Sequence, residues 1–61
     1  MTNIDMPATG TTVKVTALYG TGDTDQFVGV LADYTTEVVE LTMPYGRTTV
    51  AREHVISVKA L

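Results

Sequence analysis

The sequence predicts an all-β domain, a small, strongly bent five-stranded barrel behind an irregular N-terminal leader over residues 1–10. Three observations carry that prediction. From Thr11 onward the chain is dominated by valine, threonine and tyrosine, whose side chains fit a pleated, half-buried surface. Apolar residues recur there at a period of two, and no segment shows the 3.6-residue period of a long helix. Between the apolar runs lie short turn-forming clusters, GTGDTD, TTE and PYGR.

Each element follows from its residues. The leader MTNIDMPATG is punctuated by Pro7 and Gly10 and has no apolar period. In TTVKVTALY, Val13, Val15, Ala17 and Tyr19 alternate with Lys14, Thr16 and Leu18, which gives a first strand with one buried face. GTGDTD (residues 20–25) is a polar turn whose glycines are free to take positive φ. QFVGVLADY is a second strand, apolar on both faces in its middle, and Gly29 within it predicts a bend. After the TTE turn, VVELTM points Val39, Leu41 and Met43 inward and Glu40 and Thr42 outward. PYGR is a turn, TTVA a fourth strand, and REH a one-turn corner into VISVKAL. In that last strand Ile56, Val58 and Ala60 share one face, and Val55, Ser57 and Lys59 the other. Five short strands with a bent second one and a tight corner before the fifth describe an SH3-like barrel over residues 11–61.

Length and charge narrow the function classes. A chain of 61 residues is one domain. A core of that size contributes on its own about 3–5 kcal/mol of net stability, so a disulfide, a metal or a neighbouring copy commonly supplements it. The chain has no cysteine, and its single histidine lies in no zinc-ligand spacing, so no cofactor or metal is expected. Association with further copies is the expected supplement. A net charge of -3 and a pI near 4.6 disfavour broad attraction to phosphate backbones or anionic lipid. No run approaches the roughly 20 apolar residues of a membrane span, and the leader lacks a signal-peptide pattern, so the expected location is cytoplasmic. Ser57, the single serine, has no second histidine or shaped loop to activate it. Asp23 and Asp25 lack the further oxygen ligands of a calcium loop. An enzyme with a small-molecule substrate is therefore not expected.

Two stretches carry a family resemblance. GVLADYTTEVVEL (residues 29–41) resembles the first motif of the Sm-like family, with Gly29, Leu31, Tyr34, Val38 and Leu41 at its glycine, leucine, aromatic and apolar positions. REHVIS (residues 52–57) is similar to the Lys-His-Ala-Ile-Ser stretch of the family's Hfq branch. The departures are specific. Thr35 stands at the family's turn aspartate, Val39 lies close to its base-holding asparagine, and Glu53 inverts the charge of the lysine before the histidine.

The resemblance implies a ring of copies with a pore-facing corner that contacts single-stranded RNA weakly. Its residues would be Tyr34, Thr35, Arg52 and His54. Base stacking on an aromatic side chain contributes about 1–3 kcal/mol. The alternative is a structural or partner-docking barrel with no nucleic-acid role, which the acidic balance, Glu53 and Val39 favour. In either case the expected contacts between copies involve Val28, Val30, Val50, Val55 and Ser57. A plainer reading makes Arg52 and Glu53 solvated corner residues and His54 a packed ring.

Overall fold

The computed structural model describes residues 6–61. They form five antiparallel strands in one sheet: β1 (Thr12–Leu18), β2 (Thr24–Tyr34), β3 (Val38–Met43), β4 (Gly46–Ala51) and β5 (Val55–Ala60). One turn of 3-10 helix, η1 (Arg52–His54), joins β4 to β5. The strand order is β4-β3-β2-β1-β5. No pairing joins β4 to β5 among the described residues, so the sheet is open, with those two strands as its edges.

Strand alternation builds the core. Val13, Val15 and Ala17 of β1, Leu31 of β2, and Val39 and Leu41 of β3 are fully buried. Val50 and Val55 complete the cluster from the two edge strands. Tyr19, Phe27, Met43 and Val58 pack around it, and so does Met6 of the leader. Residues 6–10 form no strand, while residues 1–5 of the expected leader lie outside the described residues. The leader is tied to β2 where the Gly10 N–H donates to the Leu31 carbonyl and the Leu31 N–H to the Thr11 carbonyl. At the other end of the sheet's course, Ala60 stands opposite Val13, and the Leu61 N–H donates to the Thr12 carbonyl.

Two bulges depart from simple alternation. In β2, Leu31 pairs with Leu41 but Asp33 pairs with Glu40, so Ala32 is an extra residue that reverses the strand's facing. Tyr34 consequently shares a face with Val39. In β5, Val55 opposes Ala17 and Ser57 opposes Thr16, which leaves Ile56 as the extra residue. This corrects the expected grouping in the last strand. Val55 joins Val58 and Ala60 on the inward face, and Ile56 projects outward, 54% exposed.

At Gly29 the second strand makes a close approach to the third. A Cβ at Gly29 would lie 2.9 Å from the Thr42 carbonyl oxygen and 3.2 Å from Met43 Cγ, so its lack of a side chain admits the β3 backbone. The register break within β2 lies three residues further on, at Ala32. The β1–β2 turn is shorter than GTGDTD, because β2 already begins at Thr24. Gly22 takes φ +90 there, the left-handed geometry expected of a glycine in this turn.

Candidate functional site

Of Tyr34, Thr35, Arg52 and His54, expected at one corner, Thr35 and Arg52 meet where the β2–β3 turn meets η1. Thr35 organises the turn. Its Oγ1 accepts the Glu37 and Val38 N–H groups, both at 3.1 Å, and its own N–H donates to the Val38 carbonyl. A hydroxyl accepting amides two and three residues on performs the turn-closing task of an aspartate carboxylate. The hydroxyl closes the turn without adding a negative charge at this position.

Arg52 docks η1 onto that turn. Its backbone N–H donates to the Glu37 carbonyl at 2.9 Å, and its guanidinium Nη1 donates to the Thr35 carbonyl at 3.0 Å. Thr35 and Arg52 are thus brought together as predicted. Arg52 engages a backbone carbonyl in this contact rather than a carboxylate.

His54 takes the opposite direction. Its ring meets Tyr19 edge to face, with centroids 5.2 Å apart and planes at 77°. Its Nε2 lies 3.7 Å from Glu53 Oε1, a pair between neighbouring residues that is largely solvated and correspondingly weak. The aromatic partner of His54 is therefore Tyr19 rather than Tyr34. Tyr19 itself sits on a closed turn, its N–H donating to the Asp23 carbonyl and its carbonyl accepting the Gly22 N–H. Loss of solvent, and after it the Asp25 carboxylate, push the Tyr19 hydroxyl above its ordinary value of 10.0.

Tyr34 is 38% exposed at the end of β2, and its N–H donates to Asp33 Oδ1 at 2.8 Å. Beside the corner, Thr36, Glu37, Ala51 and Glu53 line a hollow of about 310 Å³. The carboxylates of Glu37 and Glu53 at its wall repel a phosphate chain. Sequence reasoning placed Tyr19 at a strand end and did not connect it with His54, since nothing local in the chain links positions so far apart.

The residues expected between copies fall into two groups. Val28 and Val30 point away from the core, 50% and 38% exposed, and with Gly29, Thr12, Thr42 and Met43 they border a hollow of about 420 Å³. Ser57 is half-buried on the same outer side, opposite Thr16. Val50 and Val55 are buried within the chain's own core, so at these positions the edge strands offer their backbones rather than their side chains.

Among the described residues no group of three histidine, cysteine, aspartate or glutamate side chains is placed to hold a metal ion. No helix among them is long and apolar enough to cross a membrane. No protein-family model, curated protein or solved structure matches the chain.

Proposed function

We propose that this chain is a self-associating module of the Sm-like, SH3-like barrel type, whose copies join edge to edge through β4 and β5. The carrying observation is the open sheet. Among the described residues both edge strands are unpaired on their outer sides, and the short η1 corner connects them. A strand edge presents a row of donors and acceptors that another strand can pair with. The Ala32 bulge in β2, the strand order and the 3-10 corner support the barrel type. A core this small also gains from burying further surface against a neighbour.

Sedimentation of the intact chain from micromolar to millimolar concentration tests the reading. A stable multiple of the subunit mass is expected, and a monomer at millimolar concentration overturns it.

A second reading, weak contact with single-stranded RNA, draws on the half-exposed Tyr34 next to the Thr35–Arg52 clasp. Glu37 and Glu53 keep such contact weak and confined to low salt. Titration of short U-rich and A-rich RNA at low ionic strength tests it. The reading requires affinity that falls with added salt and with Tyr34→Ala and Arg52→Ala; retention indifferent to both substitutions removes this corner from consideration.

A further inference from the structure

The strand register places two like-charge pairs on the outer face of the sheet. Lys14 of β1 stands directly opposite Lys59 of β5. Asp33 of β2 stands directly opposite Glu40 of β3. All four side chains point away from the core: Lys14 lies between the buried Val13 and Val15, and Lys59 adjoins the inward Val58. Asp33 and Glu40 follow the inward pair Leu31 and Leu41 across the Ala32 bulge. Like charges directly across a ladder destabilise an isolated sheet. None of the four has an opposite charge within 4.0 Å among the described residues.

Between the two pairs the outer face is apolar and uncharged. Val30 is flanked by Thr12 on β1 and Thr42 on β3, Val28 lies beside Lys14, and the hollow of about 420 Å³ opens here. Arg47, opposite Thr42, is the remaining cation on this face. Read along the sheet, the order is basic pair, apolar middle, acidic pair. A two-fold axis through the middle, near Val30, exchanges the ends, so the surface is complementary to a second copy of itself.

We propose that two copies of this chain pack outer face to outer face about such a two-fold axis. The lysine pair of each then meets the Asp33 and Glu40 carboxylates of the other, and Val28 and Val30 are covered. A C2 contact requires a self-complementary patch, and here the charge order supplies one. This contact is separate from edge pairing, because it uses outward side chains and leaves the β4 and β5 backbones unoccupied. Copies joined by their edges can therefore also stack in pairs.

Charge exchange tests the proposal. Two charge-reversed chains are prepared at full length, one carrying Lys14→Glu and Lys59→Glu, the other Asp33→Lys and Glu40→Lys. In sedimentation at low salt the wild type is expected to show a species of doubled mass that dissociates toward about 1 M salt, where the screening length falls to roughly 3 Å. Each reversed chain alone is expected to lose it, with the dissociation constant raised about a hundredfold or more. An equimolar mixture of the two is expected to restore it. Wild-type behaviour of either reversed chain alone, or failure of the mixture to recover the doubled species, overturns the proposal. So does a wild type that shows no doubling and instead binds a polyglutamate peptide through Lys14 and Lys59, which would assign the face to an acidic partner.

Should a reversed chain fail to fold, a second measurement decides. The chain has no cysteine of its own, so Val30→Cys introduces a single thiol near the axis. A short bismaleimide is expected to link Val30→Cys chains in pairs and to leave Tyr45→Cys chains, labelled at the exposed β3–β4 turn, unlinked. Equal linking at the two positions overturns the proposal. Disruption of edge pairing alone leaves the Val30→Cys link in place, so the edge and face contacts fail independently.

Discussion

The inner and outer faces of the sheet are made by the same strands and differ in how completely the chain satisfies them. On the inner face six side chains from β1, β2 and β3 reach zero exposure, and the edge strands close over them with Val50 and Val55. On the outer face Val28 and Val30 stay open, and both fully charged cross-strand pairs have matching sign. Alternation sets the first pattern, with the Ile56 bulge turning Val55 inward to join it. The second is costly for a lone subunit, and its order makes sense on a surface that meets another. The inner face therefore carries the fold, and the outer face is the one on which the proposed face-to-face contact rests.

Substitutions at paired positions test that division, beginning with the largest expected effect. Leu31→Ala removes a fully buried side chain and is expected to cost about 2–5 kcal/mol. In a domain this small that approaches the whole net stability, so circular dichroism should report a mostly unfolded chain. Val28→Ala, three residues earlier and outward, is expected to shift a dilute urea midpoint only slightly. Equal sensitivity at the two sites would erase the contrast between the faces.

Gly29→Ala places a methyl group 2.9 Å from the Thr42 carbonyl oxygen, which belongs to backbone and cannot rotate aside. A loss of about 1–3 kcal/mol in denaturant unfolding is expected. Arg52→Ala removes the Nη1 bond to the Thr35 carbonyl while the Arg52 backbone N–H still reaches Glu37. Its expected cost is about 0.5–1.5 kcal/mol, with faster amide exchange confined to the β2–β3 turn.

The smallest effect concerns the other side of the corner. The Tyr19 hydroxyl is held above 10.0 in the folded chain, so the unfolded chain releases that proton first as pH rises. Its contribution to stability is complete below pH 10.0 and is lost as pH climbs through the raised folded value. Melting temperatures of wild type and Tyr19→Phe should therefore converge or cross in the alkaline range, with the wild type falling more steeply. Parallel decline of the two would show that Tyr19 does not carry the effect.

Much of the fold was legible because it is local. The alternation of Val13, Val15 and Ala17, the inward set Val39 and Leu41, and the REH corner each follow from a few adjacent residues. The bulges at Ala32 and Ile56 were not legible, since a register slip is a property of two strands and neither sequence alone encodes it. For the same reason the facing of Val55 was misassigned, and the pairing of Lys14 with Lys59 was invisible until β1 and β5 lay side by side. At the corner, Thr35 and Arg52 meet through a hydrogen bond. The turn of His54 to Tyr19 was not legible, because that contact depends on how the β1–β2 turn curls back.

The adjacency of Val13 and Ala60, sealed by the Leu61–Thr12 bond, means that the sheet's first and last strands finish as neighbours. A few glycines could bridge Leu61 to the leader, and new ends could be cut at the solvent-exposed Tyr45. The permuted polypeptide would keep every ladder while moving its ends from β1 and β5 to the turn between β3 and β4.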